Sequence, residues 1–221
     1  MLNAVIFDFD GIIVDSEPIH FRAFQASLDP LGQHLHWQEY CADYIGLDDR
    51  DAFRKALGSG ARDLDGDELD RLIAGKARTF QAIVRAEKIS AFPGAAKLIE
   101  TLSRQIPVAL CSGGLKGDIL PVIGQLGLET AFSAIVTAED TGISKPDPAP
   151  YLLAVRKLGL PDASAALAIE DTVAGIASAR GAGLKVLAVS NSHPPQRLSQ
   201  ADAVCSSLEG FSVDSLEKLF F

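Results

Sequence analysis

A chain of 221 residues that is 48% hydrophobic and 22% charged can bury a core without disulfides or structural metals, which argues against disorder. Its net charge of −9, with no run of lysine or arginine, argues against nucleic acid and against an anionic membrane surface, since both need clustered cations. No apolar stretch approaches the roughly 20 residues of a membrane span, and no basic leader precedes the short apolar run at the N-terminus.

The first element is that run, residues 3–9, which lacks clean alternation and predicts a strand buried on both faces of a parallel sheet. Residues 16–89 predict helices only. Ser16-Glu17-Pro18 suits a helix start with a capping hydroxyl, and helical stretches follow near Trp37–Tyr44, Asp49–Leu57 and Glu68–Ala86. This insert carries 10 basic and 13 acidic residues, and the remainder 10 and 16, so neither part is basic. Beyond it, helices at Gly94–Arg104, Lys116–Leu126, Pro150–Leu158, Val173–Gly181 and Val213–Phe220 alternate with strands. The strands are expected at Pro107–Cys111, Ala134–Thr137, Ala166–Ile169, Lys185–Val189 and Ala203–Cys205, with Gly127, Gly159 and Gly183 as helix stops. Such alternation predicts an α/β fold built on a doubly wound parallel sheet. Cys41, Cys111 and Cys205 have no pairing or metal spacing and are expected to be buried, reduced thiols of a cytoplasmic protein.

Ligands of an open parallel sheet bind beyond the carboxyl ends of its strands. Four predicted strand ends deliver chemistry there: Asp8-Phe9-Asp10-Gly11, Ser112-Gly113-Gly114, Lys145 in Ser144-Lys145-Pro146-Asp147-Pro148, and Glu170-Asp171-Thr172. Four carboxylates brought together raise each other's pKa values, and a divalent cation resolves the conflict. Hard oxygen ligands favour Mg²⁺, and a serine and a lysine suit the oxygens of a phosphoryl group. Glu170-Asp171 also suits capping of the helix near Val173. Cys111, inside an apolar strand, is a poor nucleophile.

Asp8-Phe9-Asp10-Gly11-Ile12-Ile13-Val14-Asp15-Ser16 resembles the first motif of the haloacid dehalogenase superfamily, and Ser112, Lys145 and Glu170-Asp171 resemble its other three in order. The insert resembles the helical cap of the branch containing phosphoglycolate phosphatase and β-phosphoglucomutase. The resemblance implies a Rossmann-like catalytic core (residues 1–15 and 90–221) with an inserted all-helical cap domain (16–89). It implies Asp8 as nucleophile, Asp10 as acid and base, and Ser112 and Lys145 on the phosphoryl oxygens. Mg²⁺ is then expected on Asp8, the Asp10 carbonyl and Asp171, with Glu170 in or beside that shell. The implied substrate is a small phosphorylated metabolite. Gly113, Gly114, His20, Arg50, Lys76 and Lys116 are candidate substrate contacts.

His20 and Lys76 stand where β-phosphoglucomutases also carry His and Lys. Asp49 replaces a phosphate-gripping Arg of the mutases, and Leu115-Lys116 replaces their Lys-Asn. A phosphatase is the reading, a hexose-phosphate mutase the alternative, and a catalytically silent binding protein the alternative of another class.

Overall fold

The computed structural model describes residues 1–45, 47–58 and 66–221. They divide into two compact units, Met1–Asp15 with Ile89–Phe221, and Ser16–Lys88. The larger unit holds a six-stranded sheet of β1 (Ala4–Phe7), β2 (Val108–Cys111), β3 (Ala134–Val136), β4 (Ala166–Glu170), β5 (Lys185–Val189) and β6 (Ala203–Cys205). Its order is β3-β2-β1-β4-β5-β6, and every pairing is parallel. The chain therefore winds outward from β1 in one direction through β2 and β3, then in the other from β4. The reversal lies between β1 and β4, which is where such sheets open a crevice for ligands.

The apolar runs form strands because both faces are covered: every residue of β1, β2 and β4 is buried. One face alternates small residues, Ala4, Ala109, Ala134, Ala166, Ala168 and Ala188, so helices approach closely. Tyr151 and Ala154 of helix α8 (Ala149–Lys157) and Ile176 and Ala179 of α9 (Val173–Gly181) fill that face. The unit's other helices are α5 (Ala95–Ser103), α6 (Lys116–Gln125), α7 (Ala138–Thr141) and α10 (Val213–Phe220). The four-residue α7 lies outside the expected helices; a capping box between Thr137 and Asp140 closes its first turn. Gly127, Gly159 and Gly183 take φ of +69°, +67° and +85°, the left-handed geometry that ends a helix.

The smaller unit consists of α1 (Glu17–Leu28), α2 (Trp37–Asp43), α3 (Asp49–Leu57) and α4 (Gly66–Ala86) with a short 3₁₀ turn, Asp29–Leu31. An aromatic core of Phe24, Tyr40, Tyr44 and Phe53, with Leu28 and Leu69, holds them together. Ser16 occupies the N-cap position of α1 in helical rather than extended backbone, so its hydroxyl makes no capping bond to the helix. Asp48 does cap α3, accepting from the Asp51 N–H at 2.8 Å. Of the cysteines only Cys111 is buried; Cys41 is exposed and Cys205 half-buried. No described helix is long and apolar enough to cross a membrane.

Candidate active site

The reversal of winding places the ends of β1 and β4 side by side. Phe7 pairs with Ile169, and the Asp8 N–H donates to the Ile169 carbonyl at 3.0 Å, so Asp8 leaves β1 beside Glu170. Carboxylate oxygens of Asp8, Glu170 and Asp171, all buried, lie within 4.8 Å of one another. Lys145 reaches into this cluster from the loop before α8. Its Nζ donates to Asp8 Oδ1 at 2.7 Å, to Glu170 Oε1 at 2.7 Å and to the Cys111 carbonyl at 3.0 Å. Its ammonium also lies 4.9 Å from the centroid of the Tyr151 ring.

The two neighbouring acids of β4 have different surroundings. Glu170 Oε1 accepts from Lys145 and from the Tyr151 hydroxyl at 3.0 Å; Oε2 accepts from the N–H groups of Asp171 and Thr172 and from the Thr172 hydroxyl. Both of its oxygens are thus engaged. Asp171 Oδ2 accepts from the Ser192 hydroxyl, whereas Asp171 Oδ1 is buried with no hydrogen-bond partner among the described residues. An orphaned buried acceptor costs about 1–3 kcal/mol. A hard cation removes that cost, and the all-oxygen donor set fits one of the Mg²⁺ type.

The electrostatics point the same way. Burial pushes the Asp8 carboxyl up to about 7, Glu170 and Asp10 add to the rise, and Lys145 opposes it. Burial, then the charges of Glu170 and Asp8, hold Asp171 well above the usual carboxylate range. Burial works against ionised Glu170 too, but Lys145 and the hydrogen bonds from Thr172 and Tyr151 outweigh it, so its pKa falls. Burial would lower Lys145, yet Asp8 and Glu170 keep it firmly protonated. Burial also pushes the Cys111 thiol up to about 12, leaving it without nucleophilic character.

The remaining core candidates lie along the same edge. Asp10 is half-buried two residues beyond Asp8. Gly11 takes φ +78°, and a Cβ there would fall 1.9 Å from Asp171 Oδ2, so only glycine lets the backbone after Asp10 pass this carboxylate. Ser112 is buried directly after Cys111, and its Oγ accepts from the Gly114 N–H at 2.9 Å. Gly113 is exposed, and Lys116 is exposed at the start of α6. The cap of α9 is Thr172, whose hydroxyl accepts from the Gly175 N–H, rather than either acid before it.

In the helical unit, Lys76 is buried, and its Nζ contacts Asp49 Oδ1 at 2.7 Å and His20 Nδ1 at 2.8 Å. An ammonium only donates, so His20 Nδ1 accepts and the proton of the neutral ring sits on Nε2. The His20 ring stacks on Phe80 with centroids 4.3 Å apart. Arg50 pairs with Asp70.

Tyr151, Asn191 and Ser192 join the core cluster without having been singled out in the sequence, and Thr172, named there only as the residue after the two acids, braces Glu170. Asn191 and Ser192 follow β5 at a fifth strand end, so the rule that selects polar residues at carboxyl ends of parallel strands would have found them. Tyr151 lies within an apolar helix and carries no such signal.

A parallel sheet whose central crevice gathers aspartates around a half-buried lysine is the frame of one hydrolase class. The model of that class, haloacid dehalogenase-like hydrolase, matches residues 5–189, and the chain belongs to this family. It is 32% identical over 197 residues to the protein CbbY of Rhodobacter capsulatus, with 84% of each chain covered. It is 28% identical over 235 residues to a phosphoglycolate phosphatase of Mesorhizobium japonicum, covering 97% of this chain and 95% of that one. Among solved structures, CbbY from Rhodobacter sphaeroides in complex with phosphate superposes with a TM-score of 0.85 at 26% identity, covering 98% of this chain and all of the other.

Proposed function

We propose that the chain is a Mg²⁺-dependent phosphatase that hydrolyses a small phosphorylated metabolite through an aspartyl-phosphate intermediate. The observation that carries this reading is the buried cluster itself: Asp8 held by Lys145 at 2.7 Å, beside Asp171, whose Oδ1 has no partner among the described residues. In this reading Asp8 attacks phosphorus in line, and the P–O bond to the leaving alkoxide breaks as the Asp8–P bond forms. Asp10 gives a proton to that alkoxide, then takes one from the water that attacks the aspartyl phosphate and releases inorganic phosphate. Lys145, fixed by Glu170 and the Cys111 carbonyl, and Ser112 hold the phosphoryl oxygens and offset their negative charge. Asp8, the Asp10 carbonyl and Asp171, with Glu170 beside them, would hold Mg²⁺, which supplies charge neutralisation for the transferring group.

The helical unit favours hydrolysis over mutase action. A mutase must hold a second phosphate and needs cations to spare for it, whereas Lys76 and Arg50 are paired with Asp49 and Asp70. The resemblance to a phosphorylated carbohydrates phosphatase of Thermotoga maritima and to the phosphoglycolate phosphatase directs the substrate search to sugar phosphates and phosphoglycolate. The test is a screen of phosphorylated metabolites for Mg²⁺-dependent phosphate release by the wild type and by Asp8→Asn. The variant is expected to lose several orders of magnitude in kcat, and activity within about tenfold of wild type would remove Asp8 as nucleophile. If β-glucose 1-phosphate went mainly to glucose 6-phosphate with little phosphate released, the mutase reading would replace this one.

A further inference from the structure

The turn that follows β5 reaches across the carboxyl end of the sheet to the end of β4. Ser192 Oγ donates to Asp171 Oδ2. One residue earlier, Asn191 Nδ2 donates to the Gly11 carbonyl at 2.7 Å. The pair sits tight against the first motif: a Cβ on Gly11 would lie 1.9 Å from Asp171 Oδ2 and 2.8 Å from Ser192 Oγ. Asp171 is thus gripped by one oxygen, while the other, Oδ1, is buried with no hydrogen-bond partner among the described residues.

The terminal torsion of an aspartate is broad and roughly two-fold, so backbone placement alone does not keep one oxygen in one position. A hydroxyl on Oδ2 removes that freedom. It also draws negative charge toward Oδ2 without occupying Oδ1. We propose that Ser192 is a positioning residue for the metal: it fixes Asp171 through Oδ2 and so presents Oδ1 to Mg²⁺. Asn191 supports it by tying the same turn to the backbone of the first motif. The β5 turn thereby becomes part of the site, although it contributes no ligand. This inference rests on the Mg²⁺ reading above and concerns how the site is held rather than what it does.

Groups that orient a metal ligand typically change metal affinity by about 10- to 100-fold when removed. The experiment is isothermal titration of the full chain with Mg²⁺ alone, for wild type, Ser192→Ala and Ser192→Thr, with metal-free melting temperatures recorded for each. Ser192→Ala is expected to weaken Mg²⁺ binding by about 10- to 100-fold, and Ser192→Thr, which keeps the hydroxyl, by less than about threefold. Should Ser192→Ala not fold, Ser192→Cys gives the same comparison with a near-isosteric but weak donor. If the wild type binds no Mg²⁺, the metal reading itself is overturned. If the wild type binds and Ser192→Ala binds within about twofold of it, only the positioning role is overturned. Equal weakening of the alanine and threonine variants would also overturn it, since the hydroxyl would not be the cause.

Discussion

Replacing Asp8, the proposed nucleophile, should stabilise the metal-free protein at alkaline pH. Asp8 is buried beside Glu170, Asp171 and Asp10, and its carboxyl rises from 3.8 to about 7 in spite of Lys145. The sign follows from linkage. Below pH 3.8 the folded and unfolded chains both keep this proton; between 3.8 and about 7 the unfolded chain loses it while the folded chain retains it. The unfolded state then binds fewer protons, so stability falls as pH rises and levels off above about 7. At about 1.4 kcal/mol per pH unit, the full loss is about 4 kcal/mol. Asp8→Asn removes this titration, and its amide oxygen still accepts from Lys145. In the presence of chelator the variant is therefore expected to be more stable than wild type by about 2–4 kcal/mol near pH 8, and equal to it near pH 4. The opposing expectation is that breaking a buried ion pair costs about 3–5 kcal/mol. It loses here because Lys145 keeps Glu170 as a partner at 2.7 Å. Urea unfolding across this pH range with chelator measures the difference directly. Saturating Mg²⁺ should reverse its sign, because the ionised carboxylate then has a cation to bind. A variant that is less stable than wild type near pH 8 without metal would refute the reasoning.

Lys145→Met leaves Asp8 and Glu170 facing one another without a cation and should cost about 3–5 kcal/mol in chelator, read from the urea midpoint. A cost below about 1 kcal/mol would mean that the carboxylates relax apart. Gly175→Ala drives a Cβ to 1.8 Å from Glu170 Oε1, a carboxylate pinned by five donors, and should destabilise by about 1–3 kcal/mol in the same assay. Alkylation of the native protein followed by mass spectrometry should label exposed Cys41 and leave Cys111 unmodified, since burial pushes its thiol up to about 12. Early labelling of Cys111 would show that β2 opens readily.

Much of the candidate site was legible because it obeys a local rule. Short apolar runs mark buried strands, and the polar residue that ends each run lands on the ligand-binding edge. That rule reached Asp8, Asp10, Ser112, Glu170 and Asp171, and the motif order added Lys145. It was applied to four strand ends and so passed over Ser192 after the fifth. It also treated Glu170 and Asp171 as a pair with one task. Their surroundings differ, because Thr172 and Tyr151 converge on Glu170 while, among the described residues, Ser192 alone donates to the Asp171 carboxylate. The cysteines were misjudged for a related reason. Burial of a small thiol depends on which face of a helix it occupies, and Cys41 lies on an outer one.

By itself the sequence determined the strand–helix order, the helical character of the described residues between 16 and 89 and the identity of the acids and the lysine, since each depends on residue type and spacing along the chain. The tertiary structure decided which carboxylate oxygen is left unpartnered, that Lys76 spends its charge on Asp49 and that Tyr151 braces Glu170. These outcomes turn on side-chain direction across residues 19 to 27 positions apart. Helix rotation and loop course set those directions, and a hydrogen bond that is lost or gained over about 1 Å is not encoded in periodicity.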